Sequence, residues 1–101
     1  MSTFLFKLSR EQQRAYKQWR DQIDERVFFD QIETGKDWRG MDLPYSVRET
    51  LRQRKLRRIH QPWYGMNQDA YTFMFTPTRL GMVVRVRNVH YGDELDLSEE
   101  L

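Results

Sequence analysis

The sequence predicts an α+β domain, an antiparallel sheet of three or four strands packed against one or two helices. Two observations carry that expectation. Apolar residues recur at helical spacing after Ser9, and the period changes to two between Tyr71 and Val89. A third, the aromatic content, argues that the chain folds at all.

The N-terminal stretch Thr3–Leu8, TFLFKL, alternates roughly, with Phe4, Phe6 and Leu8 on one side. It reads as a short strand with one buried face. Whether that strand pairs at an edge of the sheet or in its centre is open from sequence.

Ser9 then offers an N-cap, and Gln12 three residues on completes a capping box. Tyr16, Trp19, Ile23 and Val27 fall within a stripe about 80° wide at helical spacing. Phe28, Phe29 and Ile32 project to other sides. Either the helix becomes buried all round, or it ends near Val27 and the next residues are extended. The reading adopted is a continuous helix closing at Gly35, a natural residue for a left-handed cap.

A loop over residues 36–43 leads to a second helix, expected from Pro44 or Tyr45 to about Arg58, with Ser46 as cap and Glu49 as its capping-box partner. Pro62, Gly65 and Asn67 make residues 60–69 a loop.

From Ala70 onward, Tyr71, Phe73 and Phe75 share one face, and Met82, Val84 and Val86 share the matching face of the next strand. Residues 76–81, TPTRLG, read as the connection, and HYGD near His90 as a second turn. Pairing Val86 with Leu97 and Arg87 with Asp96 would match apolar to apolar and cation to anion. The acidic tail therefore has a structural explanation.

At 101 residues the chain is expected to form one domain, with a core thin enough to gain from a partner. Charged residues make up 32% and the mean hydropathy is −0.88, values that lean toward disorder. A net charge of only +2 and 14% aromatics oppose that lean. With no cysteine, disulfides, thiolate metal sites and a cysteine nucleophile are excluded, and a cytoplasmic protein fits. No apolar run reaches membrane-spanning length, and the N-terminus lacks a secretory pattern, so no membrane partner is expected.

Local charge is the feature that points outward. Arg48, Arg52, Arg54, Lys55, Arg57 and Arg58 crowd into eleven residues, while Asp93–Leu101 carries five acidic residues and no basic one. Such a run can contact phosphates. On a helical wheel, however, Arg48, Arg52 and Lys55 cluster while Arg54, Arg57 and Arg58 spread around the rest, which fits a solvated helix. Trp38, Trp63, Tyr64 and Met66 sit in expected loops, either as lids over the core or as an aromatic partner surface.

Catalytic and metal chemistry find no constellation. His60 and His90 lack metal-ligand spacing, no serine lies in GxSxG, and the five glycines are scattered singly. No cofactor and no enzymatic activity are expected.

The block YTFMFTPTRLGMVVRVRN followed by GDELDLSEEL resembles the C-terminal hairpins of small uncharacterised bacterial proteins carried on mobile gene cassettes. The resemblance covers the last third of the chain and rests on strand–turn–strand punctuation. It implies self-association and transfers no functional residue. The sequence thus points to a non-catalytic interaction protein, a homodimer or a binder of a protein partner, with a nucleic-acid-binding accessory role through residues 48–58 as the alternative.

Overall fold

The computed structural model describes residues 8–65 and 70–98. It has an α+β fold in the order α1 (Arg10–Thr34), α2 (Tyr45–Leu56), β1 (Tyr71–Thr78), β2 (Gly81–Asn88) and β3 (Glu94–Asp96). No helix among these residues is long and apolar enough to cross a membrane. The expected strand at Thr3–Leu8 lies outside the described residues, apart from Leu8. The chain divides into two compact units, residues 8–19 with 70–98, and residues 20–65. One domain was the expectation; α1 contributes its first ten residues to one unit and the remainder to the other.

In the first unit, α1 begins as its capping box dictates. Gln12 N–H donates to the Ser9 hydroxyl at 3.1 Å, and Ser9 N–H donates to Gln12 Oε1 at 2.9 Å. Gln12 Nε2 reaches further and donates to the Leu97 carbonyl at 2.8 Å. Among the described residues the sheet is three antiparallel strands in the order β1-β2-β3. Phe73 pairs with Val86 and Phe75 with Val84, the shared face that alternation predicts. Val84, Val86 and Leu97 form the core of this unit, and Tyr16, Trp19, Tyr71 and Phe73 pack against it. The Tyr16 ring lies 4.9 Å from Phe73 and 6.0 Å from Tyr71, so the aromatic stripe of α1 covers the sheet.

Two expectations for the sheet are corrected. Residues 76–81 are not a long connection: pairing runs to Thr78 and Gly81, with only Arg79 and Leu80 between. Pro77 fits the ladder because β1 is an outer strand among the described ones. Gly81 takes φ +139, a backbone conformation that suits glycine. The register of β3 also differs. Leu95, not Leu97, faces Val86, and Arg85 and Arg87 face Asp96 and Glu94. Asn88 is the reason. Its Oδ1 accepts the N–H groups of His90 and Tyr91, and its own N–H donates to the Asp93 carbonyl at 2.8 Å. The turn therefore closes between Asn88 and Asp93, two residues sooner than expected. A shift of two keeps every side chain on its expected face.

In the second unit, α1 continues without a break to Thr34. Gly35 takes φ +68 and donates its N–H to the Gln31 carbonyl, ending the helix where the sequence places the end. Phe28, Leu43 and Leu51 form one core cluster, with Ile32, Val47 and Trp63 packed on it, and Ile23, Val27 and Tyr64 are buried as well. Helix α2 starts at Tyr45, within the expected bounds, but its cap and its end differ. Pro44, not Ser46, is the N-cap, with no side-chain cap bond, and Glu49 pairs with Arg52 instead. The helix stops at Leu56. Arg58 N–H donates to the Lys55 carbonyl and Ile59 N–H to the Arg54 carbonyl, the paired bonds of a Schellman ending. Arg58 holds the left-handed position of that motif at φ +60, where glycine is the usual residue.

Candidate interaction surface

Helix α2 has three faces, set by its sequence. Val47 and Leu51 turn inward to the core of their unit. Arg48, Arg52 and Lys55 follow along one edge. Tyr45, Glu49, Arg52 and Leu56 fall within about 60° of one another on the side opposite Val47 and Leu51.

The cationic edge borders a cleft of about 410 Å³, whose other wall is the last turn of α1 from Gln31 to Gly35. The cluster expected from the helical wheel is thus present, with acidic neighbours. Glu33 shares the cleft, and the C-terminus of α1 concentrates partial negative charge there. These neighbours offset part of the cationic charge locally. The remaining basic residues go elsewhere. Arg54 donates from Nη1 to the Gln61 carbonyl at 2.9 Å and, with Arg57, lines a separate shallow depression. Arg58 belongs to the helix ending.

The opposite face is apolar at its ends. Tyr45 is 69% exposed and Leu56 73% exposed. Between them, Arg52 Nη1 lies 3.0 Å from Glu49 Oε2. Sequence reading followed the cations on the wheel and missed this stripe. The spacing 45, 49, 52, 56 was the available signal.

The aromatic residues of the loops are mostly lids. Tyr64 is buried and its hydroxyl donates to Asp24 Oδ1 at 2.7 Å, which removes it from any exposed surface. Trp38 and Trp63 are half-buried, with ring centroids 6.0 Å apart, and the Arg39 guanidinium lies 5.2 Å from the Trp38 ring. Met66 lies outside the described residues. His60 contacts Glu25 through Nδ1 at 3.0 Å and stacks on Phe28. Among the described residues no group of three or more His, Asp or Glu is placed to hold a metal ion.

Among the described residues, three groups have perturbed acidity. Burial pushes the Asp37 carboxyl up, but the hydrogen bond from the Arg39 side chain, the N–H groups of Met41 and Arg39, and the Arg39 charge together hold it below its ordinary value. Burial lowers His90, favouring its neutral form. Asp96 is held low by the Ser98 N–H, with help from the Ser98 hydroxyl and the facing Arg85. Sequence reading singled out neither Asp37 nor Asn88, whose side chains accept from backbone N–H groups two to four residues on.

No family model matches the chain, and neither does any curated protein or solved structure.

Proposed function

We propose that this chain is a small non-catalytic interaction protein that acts by self-association. The observation that carries the reading is the pairing of Tyr45 and Leu56 on one outward face of α2. Single exposed apolar residues are ordinary on protein surfaces, but two large ones on one helix face, at 69% and 73% exposure, suit a contact surface. A cytoplasmic location and a bacterial, gene-cassette origin belong to the same proposal, from the cysteine-free sequence and the C-terminal resemblance. Sedimentation velocity over a range of protein concentration tests it: a dimer is expected, and a monomer at every concentration would remove the reading.

A second reading is a nucleic-acid-binding accessory protein. The gathering of Arg48, Arg52 and Lys55 at one cleft favours it. Binding to labelled DNA or RNA that falls steeply with salt would support it, through release of condensed counterions.

A further inference from the structure

We propose that the cleft between the last turn of α1 and the cationic edge of α2 binds a small zwitterion, a molecule carrying a carboxylate and an ammonium group on a short apolar spacer. The proposal lies beyond the self-association reading and does not depend on it.

The cleft has two poles of opposite sign. One wall is Arg48, Arg52 and Lys55, spaced about one turn apart along α2. Arg52 is held by Glu49 at 3.0 Å, but among the described residues neither Arg48 nor Lys55 forms an ion pair. The other wall is the carbonyl end of α1. Lys36 N–H, which would continue the helix to the Ile32 carbonyl, donates instead to the Thr34 hydroxyl at 3.2 Å, and Asp37 N–H donates to the Met41 carbonyl at 2.9 Å. The Ile32 and Glu33 carbonyls thus lose their helical donors. Together with the Glu33 carboxylate they make this end attractive to a cation.

Glu33 forms no ion pair with the facing cations among the described residues, so the poles do not cancel by contact. The walls approach at Gly35, where the Arg48 Cδ lies 3.8 Å from the position a Cβ would take. Ile32 and Leu51 add apolar lining, and a volume of about 410 Å³ suits a small molecule. A ligand with only negative charge is repelled by Glu33 and the helix carbonyls. One with only positive charge is repelled by the arginines and Lys55. A zwitterion satisfies both poles, and its spacer spans the gap.

The test is a titration of the full chain followed by amide chemical shifts, with ε-aminocaproate as the zwitterion and caproate and hexylamine as its single-charge controls. ε-Aminocaproate is expected to shift amides on both walls, residues 31–35 and 48–55, in a saturable way, and to bind about tenfold more tightly than either control. Glu33→Gln separates the poles. It is expected to weaken ε-aminocaproate about threefold and to strengthen caproate about threefold, since it removes a partner of the first and a repulsion on the second. Lys55→Gln is expected to weaken both about threefold. Glu33 and Lys55 are exposed, so neither replacement disturbs the core, and unchanged amide shifts elsewhere in the chain check that. Caproate binding as tightly as ε-aminocaproate, or Glu33→Gln leaving ε-aminocaproate binding unchanged, would overturn the two-pole site. So would the absence of saturable shifts at both walls with all three compounds.

Discussion

Gln31 binds both backbone polar groups of Trp63. Its Nε2 donates to the Trp63 carbonyl at 2.8 Å, and its Oε1 accepts the Trp63 N–H at 2.9 Å. The side chain is 1% exposed, so one buried amide ties the segment after α2 to α1 within the same unit. The Tyr64–Asp24 hydrogen bond and the His60–Glu25 contact tie the same segment to the same helix.

Replacing Gln31→Leu keeps the volume roughly but leaves a donor and an acceptor of Trp63 without these partners. The expected loss is about 2 kcal/mol of unfolding free energy, measured by urea denaturation. A loss below about 0.5 kcal/mol, the scale of an ordinary surface change, would contradict the role given to this amide.

Asp37 makes stability depend on acidity. Its side chain is 2% exposed and accepts hydrogen bonds from Arg39 N–H at 2.9 Å and Met41 N–H at 3.0 Å, besides the Arg39 guanidinium at 2.7 Å. A carboxyl held below its ordinary value of 3.8 stabilises the fold above that pH, and the contribution disappears as pH falls through the lower folded value. Asp37→Asn is expected to melt lower than the native chain at neutral pH, with the two melting curves converging in acid below pH 3.8. A gap that stays constant into acid would show that the carboxylate charge contributes nothing.

Arg58 occupies a backbone conformation that penalises a side chain. Arg58→Gly should therefore stabilise the protein by about 1 kcal/mol, seen as a rise in melting temperature. A fall in melting temperature would mean that the Arg58 side chain contributes more than its backbone strain costs.

The cationic cleft gives a prediction about nucleic acid. With Glu33 and the carbonyl end of α1 opposite Arg48, Arg52 and Lys55, labelled DNA and RNA are expected to show little anisotropy change even at low salt. Tight binding with a steep salt slope, reduced when Arg52, Lys55 and Arg58 are replaced together, would instead favour the nucleic-acid reading.

Much of the fold was legible because it follows local rules. The Ser9–Gln12 box, the Gly35 stop and the period-two pairing of Phe73 with Val86 each depend on a few neighbouring residues. The errors have more than one origin. The β3 register turned on Asn88, whose side chain caps the turn after its own strand. The end of α2 turned on Arg58 accepting a conformation more usual for glycine. Tyr64 could not be placed from sequence because its partner, Asp24, is distant in the chain. The candidate surface was half legible: the wheel located Arg48, Arg52 and Lys55, but the outward Tyr45–Leu56 stripe emerged only once Val47 and Leu51 were known to face inward.

Sedimentation velocity of the unmodified chain, from low to high micromolar concentration, tests self-association. A concentration-dependent shift to a species of twice the monomer mass is expected. A single species of monomer mass across the whole range would contradict it.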